Sequence, residues 1–422
     1  MYQMKTHSRH VVAIAGLIGL LVVVASSTLA RGQAPTAVTV FEGARIIVGD
    51  GRPPLENATF VVTGTRFVQV GRAGDVRVPA GAARVNLTGK TVMPAIIDTH
   101  THLSTTRELL VQDLRRRAFY GVSAAMSMGT DAGDLPFQMR AETLPGAARY
   151  RTAGRGITAP EPGRSEVPYW IATDAEARKA VSELAALKVD IVKIWVDDRD
   201  GKYKKLTPAL YGAVIDEAHK RGLRVTAHIF ALEDAKGLLR AGIDAFAHGV
   251  RDRDIDEEGL ALFKQHPNVV VAPNLPDRGV ATNLGWLSES IPAAELQKLQ
   301  AAATDRPQAQ ATFAIQARNL AKLNAAGVRI AFGTDGNTPW APHVEMADMV
   351  ASGMTPAQVI VAATRNSADL MKLTDAGTVA ADKSADFIVL DANPLDDITN
   401  TRRISSVYLR GAAVDRAAFR VR

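Results

Sequence analysis

The chain has 422 residues, 47% of them hydrophobic, which is enough for a large buried core and more than one small domain. It contains no cysteine, which excludes disulfides, thiolate metal sites and cysteine nucleophiles together. The formal net charge is +6, but Lys5, Arg9 and Arg31 supply half of it within residues 1–34, where no acid occurs, and the remainder is too small to argue for nucleic-acid or membrane-surface binding.

Residues 1–34 have the layout of an export signal: a basic start, an unbroken apolar and glycine run over 11–25, and small residues suited to cleavage near Ala30 or Ala34. The apolar run is short for a membrane span. The expectation is a cleaved signal peptide and an exported protein, periplasmic or secreted, with an uncleaved anchor as the lesser alternative. Residues 35–92 read as short strands joined by turns, with Gly51 after Asp50 and Gly64 between two apolar stretches, and helical periodicity is absent. The same texture returns over 376–414. The two ends, 35–92 and 374–422, are expected to form one small β-sandwich that holds the middle of the chain between them.

Residues 93–373 alternate. Apolar or β-branched runs occur at 93–99, 122–128, 149–157, 190–196, 224–230, 245–250, 269–275 and 329–334, with amphipathic stretches between most of them. The stretch 173–188 opens with Thr173 as a cap and Glu176 three residues on; the stretch 207–221 opens with Thr207 followed by Pro208. Eight such runs alternating with helices predict an α/β fold, a (β/α)8 TIM-like barrel. A doubly wound open sheet is the alternative, although no G-x-G-x-x-G follows the first run.

Barrel active sites lie at the C-terminal ends of the strands. The first run continues as PAIIDTHTH, and His100 and His102, at i and i+2, face the same side of a strand. Two imidazoles aimed at one point make a metal-binding geometry. The fourth run places Lys193 among apolar neighbours, the fifth ends with His228, the sixth with His248 and the eighth with Asp335. Of nine histidines two lie in residues 1–34, and four of the other seven stand at strand ends. His219 and His266 fall near helix ends, where their partial positive charge suits a structural role.

With these residues in place, the chain resembles the amidohydrolase superfamily of metal-dependent hydrolases over nearly all of its length after residue 36. PAIIDTHTH is close to that family's PGxIDxHxH, with Ala95 where glycine is common, and segments 349–370 and 376–391 resemble the imidazolonepropionase-like and Xaa-Pro dipeptidase-like branch. The resemblance implies two divalent metal ions, by default Zn2+, bridged by Lys193 as N6-carboxylysine, with His100, His102 and Asp335 on one ion and His228 and His248 on the other. It implies attack of a metal-bound hydroxide on an amide or peptide-like C–N bond, with Asp335 moving the proton, as in a dipeptidase, a carboxypeptidase or an N-acyl amino acid amidohydrolase.

The alternatives are hydrolysis of a carbamate, ester, lactam or phosphotriester on the same site, a mononuclear deaminase, or a metal-free binding protein. The deaminase is disfavoured because such relatives usually lack the strand-four lysine. The expected partner is a small-molecule or short-peptide substrate, and a homo-oligomer is left open. Tyr203, Arg251 and His343, in loops after strands, are candidate substrate contacts, and the long segment 276–304 with Trp286 is expected to act as a flap or pocket wall.

Overall fold

The computed structural model describes residues 37–421, so the signal peptide expected over 1–34 lies outside the described residues. Five strands come first: β1 (Val38–Ile46), β2 (Leu55–Thr63), β3 (Arg66–Arg72), β4 (Ala83–Asn86) and β5 (Thr91–Pro94). β2 and β3 pair antiparallel up to Thr63 opposite Arg66, so Gly64 and Thr65 form the turn, and Gly64 takes the positive φ (57°) that such a turn requires.

Strands and helices then alternate: β6 (Ile96–Thr101), α1 (Arg107–Phe119), β7 (Val122–Ser127), α2 (Leu135–Ala141), β8 (Arg149–Thr152), β9 (Ile157–Thr158), β10 (Tyr169–Trp170) and α3 (Asp174–Ala186). They continue through β11 (Val192–Val196), α4 (Pro208–Lys220), β12 (Val225–Ile229), α5 (Leu232–Arg240), β13 (Ala245–Phe246), α6 (Glu257–Gln265) and β14 (Val270–Val271). After α7 (Ala293–Ala302), α8 (Pro307–Ala325), β15 (Arg329–Ile330) and α9 (Ala341–Ala351), two short helices, α10 (Pro356–Val361) and α11 (Ser367–Leu370), lead to β16 (Phe387–Leu390), β17 (Ile404–Leu409) and β18 (Ala412–Ala413). The capping box of Thr173 and Glu176 opens α3, and Thr207 caps α4 with Pro208 in its first turn, as their sequences predict. Among the described residues no helix is long and apolar enough to cross a membrane.

Every pairing between strands from β6 to β15 is parallel. β6, β7 and β8 form one sheet; β9, β11, β12, β13, β14 and β15 follow in order in another, with β10 on the edge of β9. The run 149–157 is therefore two strands. Between them Ala153 N donates to Ser127 O (2.9 Å) and Gly156 N to Gly129 O (2.8 Å), so the chain keeps following β7 across the break. Gly156 sits where the Trp195 ring lies against the backbone; a Cβ there would come within 2.0 Å of that ring. At the other end Thr99 N donates to Phe332 O (3.0 Å) and Thr101 bridges to Gly336, which brings the first strand against the segment after the last. The result is a TIM-like α/β barrel. Met93 and Pro94 pair with β16, so the first barrel strand begins at Ile96 rather than at residue 93.

Strands from both ends of the chain share one sheet, in the order β18-β17-β16-β5-β1-β2-β3, with β4 on β1. Its core is aromatic: Phe41 stacks on Phe60 (centroids 4.7 Å apart), Phe387 stacks on Tyr408 (4.6 Å), and Phe67 closes the cluster.

Candidate metal centre

The strand ends converge. On β6 the alternation of side chains puts Asp98 and His100 on one face, with His102 one step beyond the strand. The ring of His100 lies 5.2 Å from that of His102 and 5.1 Å from that of His248, centroid to centroid, and His228 and His248 lie 4.5 Å apart. Asp335 reaches into this group in a left-handed backbone conformation (φ 52°) that a non-glycine residue rarely adopts. Its Oδ1 is 3.1 Å from Nε2 of both His100 and His102, and its Oδ2 is 3.5 Å from Nε2 of His248. His100, His248 and Asp335 each offer a ligand atom within 4.8 Å of the others.

The outward-facing atoms of these rings are held by the protein. His100 Nδ1 lies 2.6 Å from Asn274 Nδ2 and 3.2 Å from Ala247 O, and His102 Nδ1 lies 3.2 Å from Thr130 Oγ1. His228 Nε2 is 2.8 Å from Asp197 Oδ2, an oxygen that Arg199 also holds at 2.7 Å, which leaves Nδ1 as the atom of His228 for an ion. Outer partners of this kind fix ring orientation and tautomer in metal sites. Both ring nitrogens of His248 and Lys193 Nζ are buried without a hydrogen-bond partner, and His100 Nε2 has none apart from its 3.1 Å approach to Asp335 Oδ1. Orphaned polar atoms of that kind are costly and call for an explanation, and a cation among the imidazoles and the Asp335 carboxylate would satisfy His100 Nε2 and one ring nitrogen of His248. Lys193 as an ammonium does not fit such a set, because it has donors only.

Burial sets the electrostatics. It lowers the pKa of His100 to about 4 against the pull of Asp335, lowers His228 to about 3, and holds His248 well below the usual histidine value, so these rings are neutral at neutral pH, the form in which imidazole can bind a metal. Lys193, fully buried, is pushed down to about 7 by desolvation, an effect that Arg251 and Arg199 reinforce and Asp335 opposes. Burial raises the Asp335 pKa, but His100, His102 and His248 outweigh it and hold the carboxyl well below its ordinary range.

The three candidate substrate contacts fare differently. Arg251 is largely buried, lies close enough to depress the pKa of Lys193, His228 and His248, and leaves its Nε without a partner. Tyr203 turns its hydroxyl to Pro162 O (3.2 Å). His343 is a correction: it stands on α9 rather than in a loop, is 1% exposed, and has its ring nitrogens 3.1 Å from Thr401 Oγ1 and 2.9 Å from Tyr120 O, so nothing is left for a substrate. The segment 276–304 is anchored on α1, where Leu287 and Ile291 pack with Phe119 and Tyr120. Its first part borders a cleft of about 450 Å³ together with Thr334, Trp340 and Asp348.

Sequence reasoning missed the polar residues behind the site: Asp98 with Arg117, Asp113, Asn274, Asp197 and Arg199. For Arg117 a signal exists. It falls at helical spacing from Leu110 and Leu114 and so belongs to the buried face of α1. Asp98 lies within β6 and Asp113 within α1, while Asn274, Asp197 and Arg199 follow strand ends, and none of them stands out by a local pattern.

Comparison with known proteins agrees with this geometry. The model of the amidohydrolase family matches residues 167–414. An imidazolonepropionase of Deinococcus radiodurans is 26% identical over 85% of this chain and 92% of its own length. Among solved structures, a candidate prolidase from Bifidobacterium longum superposes with a TM-score of 0.73 at 27% identity, covering 90% of this chain and 95% of that one. A Xaa-Pro dipeptidase with methionine bound in its active site superposes with a TM-score of 0.72 at 21% identity, covering 89% and 99%. The family match spans more than half of the sequence and takes in Lys193, His228, His248 and Asp335, and on that ground the chain belongs to the amidohydrolase family and is a hydrolase acting on C–N bonds.

Proposed function

We propose that His100, His102, Lys193, His228, His248 and Asp335 hold two divalent metal ions, by default zinc, and that the enzyme hydrolyses an amide or peptide bond next to a free carboxylate, as in an N-acyl amino acid or a dipeptide. The observation that carries this is the set of buried, unpartnered atoms on His100, His248 and Lys193 that surround the Asp335 carboxylate. Divalent ions there supply Lewis acidity to the scissile carbonyl and lower the pKa of water. A mixed nitrogen and oxygen donor set suits zinc.

Lys193 enters the set as a carbamate. Its pKa near 7 leaves much of the amine unprotonated at neutral pH, and the free amine adds to CO2 with loss of one proton, giving the N6-carboxylate anion. The resulting negative charge answers Arg251 and Arg199, which disfavour the ammonium. Asp335, ionised throughout the working pH range, takes a proton from the attacking water at its carboxylate and delivers it to the leaving nitrogen as the C–N bond breaks. Arg251, with an unpartnered Nε, pairs with the substrate carboxylate. The relatives described as prolidase and Xaa-Pro dipeptidase support a substrate of this type. On the same proposal, residues 1–34 are a cleaved export signal, and residues 35–92 with 374–422 form one domain beside the 93–373 barrel.

Metal analysis of the purified protein, with a screen of N-acyl amino acids and dipeptides against their amidated counterparts, tests the proposal. Two ions per chain and turnover only of substrates with a free carboxylate are expected, with Lys193→Ala losing both metal and activity. A protein free of metal after loading, or full turnover by Lys193→Ala, overturns it.

A further inference from the structure

Two residues of α1, one turn apart, tie the end of the first barrel strand to the end of the last. The buried guanidinium of Arg117 forks: Nη1 donates to Asp98 Oδ2 (2.9 Å) and Nη2 to the carbonyl of Gly336 (2.8 Å). Asp98, equally buried, accepts from Thr334 Oγ1 (2.7 Å) and from the backbone N–H groups of Thr334 and His100 (3.2 Å each). Four residues earlier on the helix, Asp113 Oδ2 accepts from Ser104 N (3.0 Å) and from Asn337 Nδ2 (2.9 Å). Asp98 thus grips the residue before Asp335 and Arg117 the residue after it, while Asp113 joins Asn337 to Ser104, two residues past His102. Asp335 N in turn donates to His100 O (2.8 Å).

This arrangement is a poor choice for stability alone. An ion pair with both side chains fully buried recovers its desolvation cost only when every polar atom is satisfied, and Arg117 Nε has no partner. Apolar residues of similar volume are often as stable or more so in such a place. What the pair does accomplish is geometric. The left-handed conformation of Asp335 persists only if its surroundings over-determine it, and the bonds to Thr334 and Gly336 fix the peptide groups on both sides. Asn274 orients one imidazole, but Arg117 and Asp113 act on His100, His102 and Asp335 together, through hydrogen bonds to their neighbours Asp98, Ser104, Gly336 and Asn337.

We infer that Arg117 and Asp113 are positioning residues: α1 staples the His100–His102 strand end to the Asp335 turn and so sets the spacing of the ligand atoms. This rests on the metal reading of the site. The test compares the full-length wild-type protein with Arg117→Lys, Asp113→Ala and Asp113→Asn for zinc affinity, melting temperature, and kcat and KM separately. Lysine keeps the charge against Asp98 but cannot bridge to Gly336, and asparagine keeps the acceptor oxygen that alanine lacks.

The expected result is a loss of zinc affinity by about 10–100-fold in Arg117→Lys, the range found for outer-shell partners, with kcat falling and KM unchanged. Asp113→Ala should show a smaller loss that Asp113→Asn restores. Folded variants with wild-type zinc affinity and kcat overturn the inference, as do losses that only track the fraction unfolded. If Arg117→Lys does not fold, the half-buried Asp113 pair decides by the same criteria. A wild-type protein that binds no zinc removes the metal reading itself, and the staple with it; wild-type binding with indifferent variants removes the staple alone.

Discussion

The terminal sheet and the mouth of the barrel are built on opposite terms. In the sheet, Phe41, Phe60, Phe67, Phe387 and Tyr408 pack edge to face or stacked, at centroid distances of 4.6 to 5.7 Å. At the barrel mouth the buried side chains are histidine, lysine, aspartate and arginine, several with atoms that no protein group satisfies. Aromatic packing of the first kind stabilises by area and by contact geometry. Polar burial of the second kind is unfavourable until a charge balances it. The first region therefore answers for stability and the second for chemistry, and substitutions should separate the two.

The largest expected effect is at Asp335. Asp335→Asn removes the proposed proton carrier and one charge of the proposed ligand set, and kcat should fall by about 10²–10⁴-fold, the range for a positioned acid–base group. Melting temperature of the metal-free protein should fall only modestly: the groups that hold the Asp335 carboxyl below its ordinary range favour its charge, while asparagine tolerates the left-handed backbone. A marked loss of stability without loss of kcat would erase the contrast. Phe60→Ala is the converse. Its ring is fully buried in the sheet, and truncation should cost roughly 3–5 kcal/mol in denaturant unfolding, while metal content and kcat per folded molecule stay unchanged. Gly156→Ala probes the place where the two terms meet. A Cβ there collides with Trp195, two residues beyond Lys193. Overpacking of this sort costs about 1–3 kcal/mol, and here it should also weaken metal binding; a stability loss alone would show that Trp195 does not support Lys193.

How much of this was legible in the sequence follows the same division. Repeating apolar runs, helix caps and the turn at Gly64 are local patterns; α3 and α4 start where those patterns predict, and each apolar run overlaps a barrel strand, though several are shorter than the run and one is split. The residues that gather at the barrel mouth were legible because a lone polar residue in or at the end of an apolar run is itself a local anomaly. The staple was not: Asp98 meets Thr334 across 236 positions of sequence, and Asp113 meets Asn337 across 224. The break between β8 and β9 escaped because it depends on the bulk of Trp195 against Gly156, a tertiary contact. His343 was misjudged for a related reason. It lies in the first turn of α9, and the direction in which a helix-start side chain points is decided by what packs there, in this case Tyr120 and Thr401.

The remaining contrast is in the pH dependence of the metal-free protein. The rings of His100, His228 and His343 resist protonation down to about 4, 3 and 3, and His248 lies well below its usual value, each chiefly through burial. The unfolded chain takes up these protons near pH 6.5. Between about 6.5 and 4 the unfolded state therefore binds more protons, and stability declines as the pH falls, by up to about 1.4 kcal/mol per pH unit for each ring. The depressed carboxyl of Asp335 adds little in that window, because even its unfolded pKa, about 3.9, lies below it. Lys193 acts at the other end: with a folded pKa of about 7, the metal-free protein should gain stability as the pH rises from 7 toward 10.5. Urea unfolding at half-unit intervals from pH 4.5 to 9.5 measures both slopes. His343→Asn, away from the metal ligands, should lower the acidic slope by one ring's share. A flat profile below pH 6.5 would mean that the buried imidazoles take up protons in the folded protein, and the mouth of the barrel would then differ from the terminal sheet far less than its burial implies.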